Sequence, residues 1–168
     1  MLKLLGRSAG RKQTVRQLYT ATVARSREPV FFTKLGVPDT LDGRFDLLTL
    51  HAWMVLERLK DAGLADLSQG FMDTVFIGFD EGFRDLGAGD MGMGRRMKKL
   101  ADAFYGRLNS YGTSTDATAL SHALQRNLYR GAGDAAHAES VAHYVDSARA
   151  HLARCDLASG QAEFGPLP

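Results

Sequence analysis

The residues of this chain with the types that carry chemistry are five histidines, one cysteine and a glycine-rich turn. Gly87–Gly92 reads GAGDMG, which matches G-x-G-x-x-G letter for letter. A dinucleotide site needs that turn to leave a parallel strand and open a helix. Here an amphipathic helical pattern precedes it, and no G-K-[ST] follows, so the expected structure is an interhelical turn. His137, His143 and His151 stand six and eight residues apart, which scatters them round a helix, whereas paired metal ligands share one face. His51, beside Trp53, reads as a hydrogen-bonded core residue. Asp46 lies five residues before it and is poorly placed to pair with it. Asp80 and Arg84 stand at i, i+4 and read as an ion pair. Cys155 sits near a helix end beside Arg154 and reads as an inert thiol. No G-x-S-x-G is present, and the carboxylates single out no acid–base pair. The expectation is a protein that is not an enzyme and takes no metal and no cofactor.

The strongest functional feature is a block of charge. Arg95, Arg96, Lys98 and Lys99 place four cations in five positions. On the same helix Met97, Leu100, Phe104 and Leu108 recur at spacings of three and four, which marks a buried stripe. The cations fall mainly between those positions and face outward. They repel one another, and they stand near a helix N-terminus, where the macrodipole disfavours positive charge. A local cost without local compensation points to an anionic partner. Methionines cluster nearby, at Met72, Met91, Met93 and Met97, either as core filler or as an adaptable apolar groove. Trp53, Phe79, Phe83, Met91 and Met93 are the apolar candidates for such a groove, insofar as they are exposed.

The elements that position these residues are helical, because no segment alternates with period two. Residues 1–12 read as a flexible N-terminus, followed by an amphipathic helix from Gln13 to Arg27. A connector over 28–44 carries turn residues but also Val30, Phe31, Phe32 and Val37, so it should pack as an ordered strap. Phe45 to Ala62 is apolar on most sides and therefore central, with Gly63 as its stop. The next helix runs from about Gln69, capped by Asp66 or Ser68, to Leu86, and another from about Met91 to Ser110. Asp116 should cap a helix through Tyr129, and Asp134 or Ala135 should open the last helix, through about Arg154. Residues 156–168 read as a C-terminal tail. The fold class is all-α: one bundle of about six helices, with residues 13–155 as the domain.

Bulk properties fit this. The 168 residues suffice for one core. Net charge is only +2, but its distribution is uneven: residues 1–34 carry eight cations against Glu28 alone. No apolar run reaches the ~18–20 residues that span a bilayer. The acid-poor start imitates a mitochondrial presequence. Val15, Leu18, Tyr19 and Val23 continue its stripe into the domain, so it is expected to belong there. The single cysteine suits a reducing compartment.

GVPDTLDGRFDLLTLHAWMVLERL at 36–59 and FRDLGAGDMGMGRRMKKLADAFYGRLNSY at 83–111 resemble the ubiquinol–cytochrome c chaperone family. QLYTATVARSREPVFFTKLGVPDT and ALQRNLY at 123–129 are similar to the same family, so the resemblance covers roughly residues 13–130. It implies an all-helical fold and a non-enzymatic assembly factor for the ubiquinol–cytochrome c reductase complex. The implied client is newly made cytochrome b or a similar membrane protein. Mitochondrial members also act beside the ribosome with a small partner protein. This chain is shorter than those members and looks like a bacterial homologue, which leaves the ribosome and the small partner open. An anionic membrane surface is a further expected partner, DNA is not, and the expected place is the cytoplasm, peripheral on the inner membrane. The alternative is a ribosome-, RNA- or membrane-surface-binding module with no dedicated cytochrome b client.

Overall fold

A computed structural model describes the backbone of residues 2–85 and 92–168 and the side chains of residues 9–82, 84 and 92–168. The described residues form seven α-helices, α1 (Leu2–Ser26), α2 (Pro29–Thr33), α3 (Leu41–Asp61), α4 (Ala65–Asp85), α5 (Met93–Gly112), α6 (Ala117–Asn127) and α7 (Ala135–Leu152). A single 3-10 turn follows at Leu157–Ser159, and there is no strand among the described residues. The all-α class expected from the periodicity holds.

Several helix ends follow from side chains that satisfy orphan amides. Thr40, Asp116 and Asp134 have extended backbone, and each accepts a hydrogen bond from a backbone amide two or three residues on (Gly43 N 3.1 Å, Ala119 N 2.8 Å, Ala136 N 3.0 Å). Gly63 takes φ +69° just past α3, the left-handed conformation that ends a helix at little cost for glycine. Four boundaries differ from expectation. α3 starts at Leu41 rather than Phe45, so the last residues of the expected 28–44 connector are its first turn. α1 starts at Leu2 rather than Gln13, because a polar, alanine- and glycine-containing stretch can remain helical without an apolar stripe to advertise it. α4 starts at Ala65, so Asp66 and Ser68 lie in its first turn and do not cap it. Pro29 does more than end α1: with its fixed φ it opens the short helix α2 inside the connector. The connector is an ordered strap as expected, with Phe31 fully buried.

α3 is the axis. Twelve of its twenty-one residues are buried, and α1, α4, α5 and α7 all pack on it, with α6 laid against α7. α1 and α4 run side by side in one direction: Arg11, towards the middle of α1, meets Asp66 at the start of α4, and Tyr19 lies over Gly78 further along both. Any side chain at Gly78 would collide with the Tyr19 hydroxyl, so glycine there sets how closely the helices approach. α5 returns along α4 in the opposite sense. Phe104 meets Phe79 and Phe76 at 6.2 and 5.2 Å, and the Tyr105 hydroxyl reaches Met72 Sδ at 3.1 Å. The tail expected at 156–168 is packed rather than free: Leu157 and Phe164 are buried, and Phe164 lies 5.3 Å from the His51 ring.

His51 is the hydrogen-bonded core residue that its setting predicts. Its Nδ1 lies 2.8 Å from the Leu47 carbonyl, which can only accept, so Nδ1 carries the proton. Nε2 then accepts from the Tyr144 hydroxyl at 2.9 Å. Complete burial pushes the imidazole down to about 4, despite the Leu47 carbonyl pulling the other way. The ring therefore stays neutral near pH 7 and serves as a core strut.

Candidate partner-binding surface

α5 carries the functional question because it holds two kinds of charge. It follows Gly92, whose φ of +98° turns the chain into the helix without a side-chain cap. Its inward stripe begins with Met93, buried, and continues through Met97 and Leu100, half-buried, to Phe104 and Tyr111, buried. Arg95, Arg96, Lys98 and Lys99 fall between these and are all exposed. None of the four makes a hydrogen bond, an ion pair or a cation–π contact among the described residues. Asp102 stands three and four residues beyond Lys99 and Lys98, yet it pairs with neither. Among the described residues nothing pairs with these cations to offset their mutual repulsion.

The C-terminal half of α5 is the opposite case. Arg107 Nε lies 2.8 Å from Asp46 Oδ1, a fully buried carboxylate at the start of α3. That N–H is not aimed along the contact, so the pair is an ion pair rather than a formed hydrogen bond. Arg130, from the α6–α7 turn, donates its Nε hydrogen to Asp46 Oδ2 at 3.1 Å and reaches Asp42 through Nη1 at 3.0 Å. Arg130 holds φ at +53°, a left-handed conformation rare outside glycine, and the two carboxylates keep it there. Burial lifts the Asp46 carboxyl above its ordinary range, and the two guanidiniums pull against that. The Arg107 guanidinium also stands 5.3 Å over the Phe45 ring, whose other neighbour is Phe79 of α4 at 5.0 Å. One carboxylate thus fastens α5 and the α6–α7 turn onto α3. Nothing in the sequence marks this cluster: Asp46 and Arg107 are separated by sixty-one positions, and Asp46 and Arg130 by eighty-four.

The apolar candidates need correction. Trp53, Phe79 and Met93 are 5, 9 and 7 % exposed, so they belong to the core and line no open groove. Trp53 packs on Tyr111 and under the Arg149 guanidinium. Periodicity placed Trp53 and Phe79 on the apolar faces of their helices, though it left Met93 off the stripe of α5; it carries no information on whether a neighbour covers a face. The Phe83 side chain and Met91 lie outside the described residues, as does most of the glycine turn. The large apolar side chains that do reach solvent on these helices are Ile77 on α4 and Tyr105 on α5, 57 and 50 % exposed. Met72, Phe76 and Met97 lie half-buried on the same pair of helices. Ile77 sits off the buried stripe of α4 among Asp73, Asp80 and Glu81, and its spacing alone could have flagged it.

The basic charge of α1 and that of α5 stand near opposite ends of α4. Arg11, Lys12 and Arg16 stand near the start of α4, beside a cleft of about 400 Å³ between α1 and α4. The α5 cations lie towards the other end of α4, because the two helices are antiparallel. Among the described residues no group of three or more His, Cys, Asp or Glu side chains could hold a metal ion, and no helix is long and apolar enough to cross a membrane.

Known proteins share both the sequence and this architecture. Residues 33–162 match the profile of the family described as ubiquinol-cytochrome C chaperone. Over 160 residues the chain is 28% identical to the ubiquinol-cytochrome-c reductase complex assembly factor 1 of Xenopus laevis, which covers 90% of this chain and 80% of that protein. The human protein of the same name is 26% identical over 163 residues; this chain spans only 54% of its length. Among solved structures, the Cbp3 homolog from Brucella abortus superposes with a TM-score of 0.86 at 36% identity, over 99% of this chain and 97% of that one.

Proposed function

The chain belongs to the ubiquinol-cytochrome c chaperone family, and from that membership we propose that it binds a newly made, apolar membrane subunit of the cytochrome bc complex, cytochrome b or one like it. As a member of this family the protein is a non-enzymatic assembly factor. The observation that carries the proposal is the set of four exposed cations on α5 with no ion-pair partner among the described residues. Such a cluster costs the fold a little and offers it nothing, so its benefit lies in a complex. Half-buried Met72, Phe76 and Met97, with exposed Tyr105, supply adaptable apolar contact on the adjoining seam. A membrane subunit has both partners to offer: apolar helices, and an anionic lipid surface at their ends.

The test is capture from native membranes by the wild-type protein and by R95Q/R96Q/K98Q/K99Q. The wild type retains cytochrome b; the variant loses most of it while remaining folded. A deletion strain gives the cellular counterpart, with low cytochrome b in the complex expected. Normal cytochrome b in that strain contradicts the proposal. The competing reading, an RNA, ribosome or membrane-surface binder without a dedicated client, predicts capture that falls steeply with salt and includes no cytochrome b.

A further inference from the structure

We propose that the segment after Gly160 is a displaceable latch, and that the socket it fills is a binding site for a partner segment carrying an aromatic ring next to a carboxylate. The inference uses none of the α5 cations and goes beyond the client reading.

The segment is held at few points. Beyond the Gly160 amide, which bonds to the Leu157 carbonyl at 3.1 Å, residues 161–168 make no backbone–backbone hydrogen bond among the described residues. No ion pair ties them to the rest of the chain either. Phe164 is the one residue among them that is buried, with Ala162 and Gly165 half-buried. Its ring meets His51 edge-on at 5.3 Å, and the Arg25 guanidinium stands 5.8 Å over it. Arg25 Nη2 donates to the Gly165 carbonyl at 2.5 Å. Glu163 rests on Cys155 Sγ, with its amide at 3.4 Å and its carbonyl at 3.8 Å. A stretch fixed by one ring, one strong hydrogen bond and a sulfur contact, with no ladder, opens at low cost.

The socket does not depend on its occupant. Phe31 of α2 packs edge-on against His51 of α3 and Tyr144 of α7, at 5.3 Å each. His51 keeps its contacts to the Leu47 carbonyl and the Tyr144 hydroxyl when Phe164 leaves. What the latch leaves unmet is Arg25. Its Nη1 is sealed from solvent without an acceptor, and no carboxylate pairs with it among the described residues. The Tyr144 oxygen stands near Arg25 but short of hydrogen-bond geometry. Glu28, three residues on, acts on Tyr144 through its charge and forms no ion pair with Arg25.

A guanidinium presents Nη1 and Nη2 as a fork that matches both oxygens of one carboxylate. The latch offers that fork a single carbonyl. A buried cation without a counter-charge is costly, so a segment that fills the Phe164 seat and brings a carboxylate to Arg25 makes the better ligand. The tether gives the latch an effective concentration in the millimolar range, and the second oxygen offsets that advantage. Gly165 directly follows Phe164, which sets the spacing: the acidic residue comes immediately after the aromatic one.

The single cysteine reports the latch in the full chain without a label, because Glu163 lies against its sulfur. Alkylation of Cys155 by iodoacetamide, followed by mass spectrometry, reads the opening. F164A raises the rate roughly tenfold. Acetyl-Phe-Asp-amide at millimolar concentration raises the wild-type rate several-fold, whereas acetyl-Phe-Asn-amide, with the same ring and no charge, leaves it unchanged. Ligand-observed NMR on F164A, whose seat is empty, ranks the two peptides directly: the Asp peptide binds roughly tenfold more tightly, and R25Q/F164A binds both alike. R95Q/R96Q/K98Q/K99Q keeps the wild-type response to both peptides, which separates this site from the client surface. Melting curves confirm that each variant is folded. F164A alkylated at the wild-type rate overturns the latch. Equal binding of the two peptides to F164A, or a preference that survives R25Q, overturns the carboxylate site.

Discussion

Arg107 and the cations at 95–99 ride on one helix, yet the fold treats them in opposite ways. Arg107 is 13 % exposed and is met by Asp46, which also receives Arg130. Arg95, Arg96, Lys98 and Lys99 are open to solvent and meet no acid among the described residues. A charge matched within the chain fastens the chain. A charge left unmatched, at a helix end where it is disfavoured, is in the proposal made above held for an outside partner. On that proposal the contrast separates structural charge from functional charge without reference to conservation.

The sharpest way to break that comparison is to remove Asp46. Asp46→Ala strands a buried guanidinium and releases the left-handed turn at Arg130. It should cost about 3–5 kcal/mol. The midpoint of urea unfolding measures this; a cost below ~1 kcal/mol would show that the cluster is not what fastens α5.

The core strut should show itself through pH. His51 titrates near 4 when folded and near 6.5 when unfolded. Between those values the unfolded chain binds the extra proton, so stability is fully present above about pH 6.5 and falls as pH drops. The slope approaches 1.4 kcal/mol per pH unit, and the loss totals about 3 kcal/mol by pH 4. His51→Gln should flatten that part of the stability–pH curve. An unchanged slope removes His51 as its cause.

Tyr144→Phe tests the partner of that ring. It leaves His51 Nε2 buried without a donor and should cost about 1–3 kcal/mol in the same unfolding experiment. A neutral effect would mean that the ring finds a donor elsewhere.

The smallest effect has the opposite sign. R95Q/R96Q/K98Q/K99Q should leave stability unchanged or raise it by up to about 1 kcal/mol, because it relieves repulsion and the adverse dipole. A clear loss of stability in a thermal melt would place these cations with Arg107, among the structural charges.

The helical class, the central α3, the caps at Asp116 and Asp134 and the buried role of His51 were all legible. Each depends on residues within a few positions of one another: a period, a cap, a polar group inside an apolar face. The Asp46 cluster was not legible, because its members come together only when α3, α5 and the α6–α7 turn are assembled. The packing of Leu157 and Phe164 was invisible for a related reason, since an irregular segment has no period to read. Trp53, Phe79 and Met93 show the limit most clearly. Spacing places a side chain on the apolar face of its helix, and only the neighbouring helix decides whether that face remains open. The cations were easier, because a solvated face needs no neighbour.

The most direct test is the amount of cytochrome b retained from native membranes by R95Q/R96Q/K98Q/K99Q relative to the wild type. The account predicts that the folded variant loses most of it. Retention at the wild-type level would contradict the claim that these four side chains are held for an outside partner.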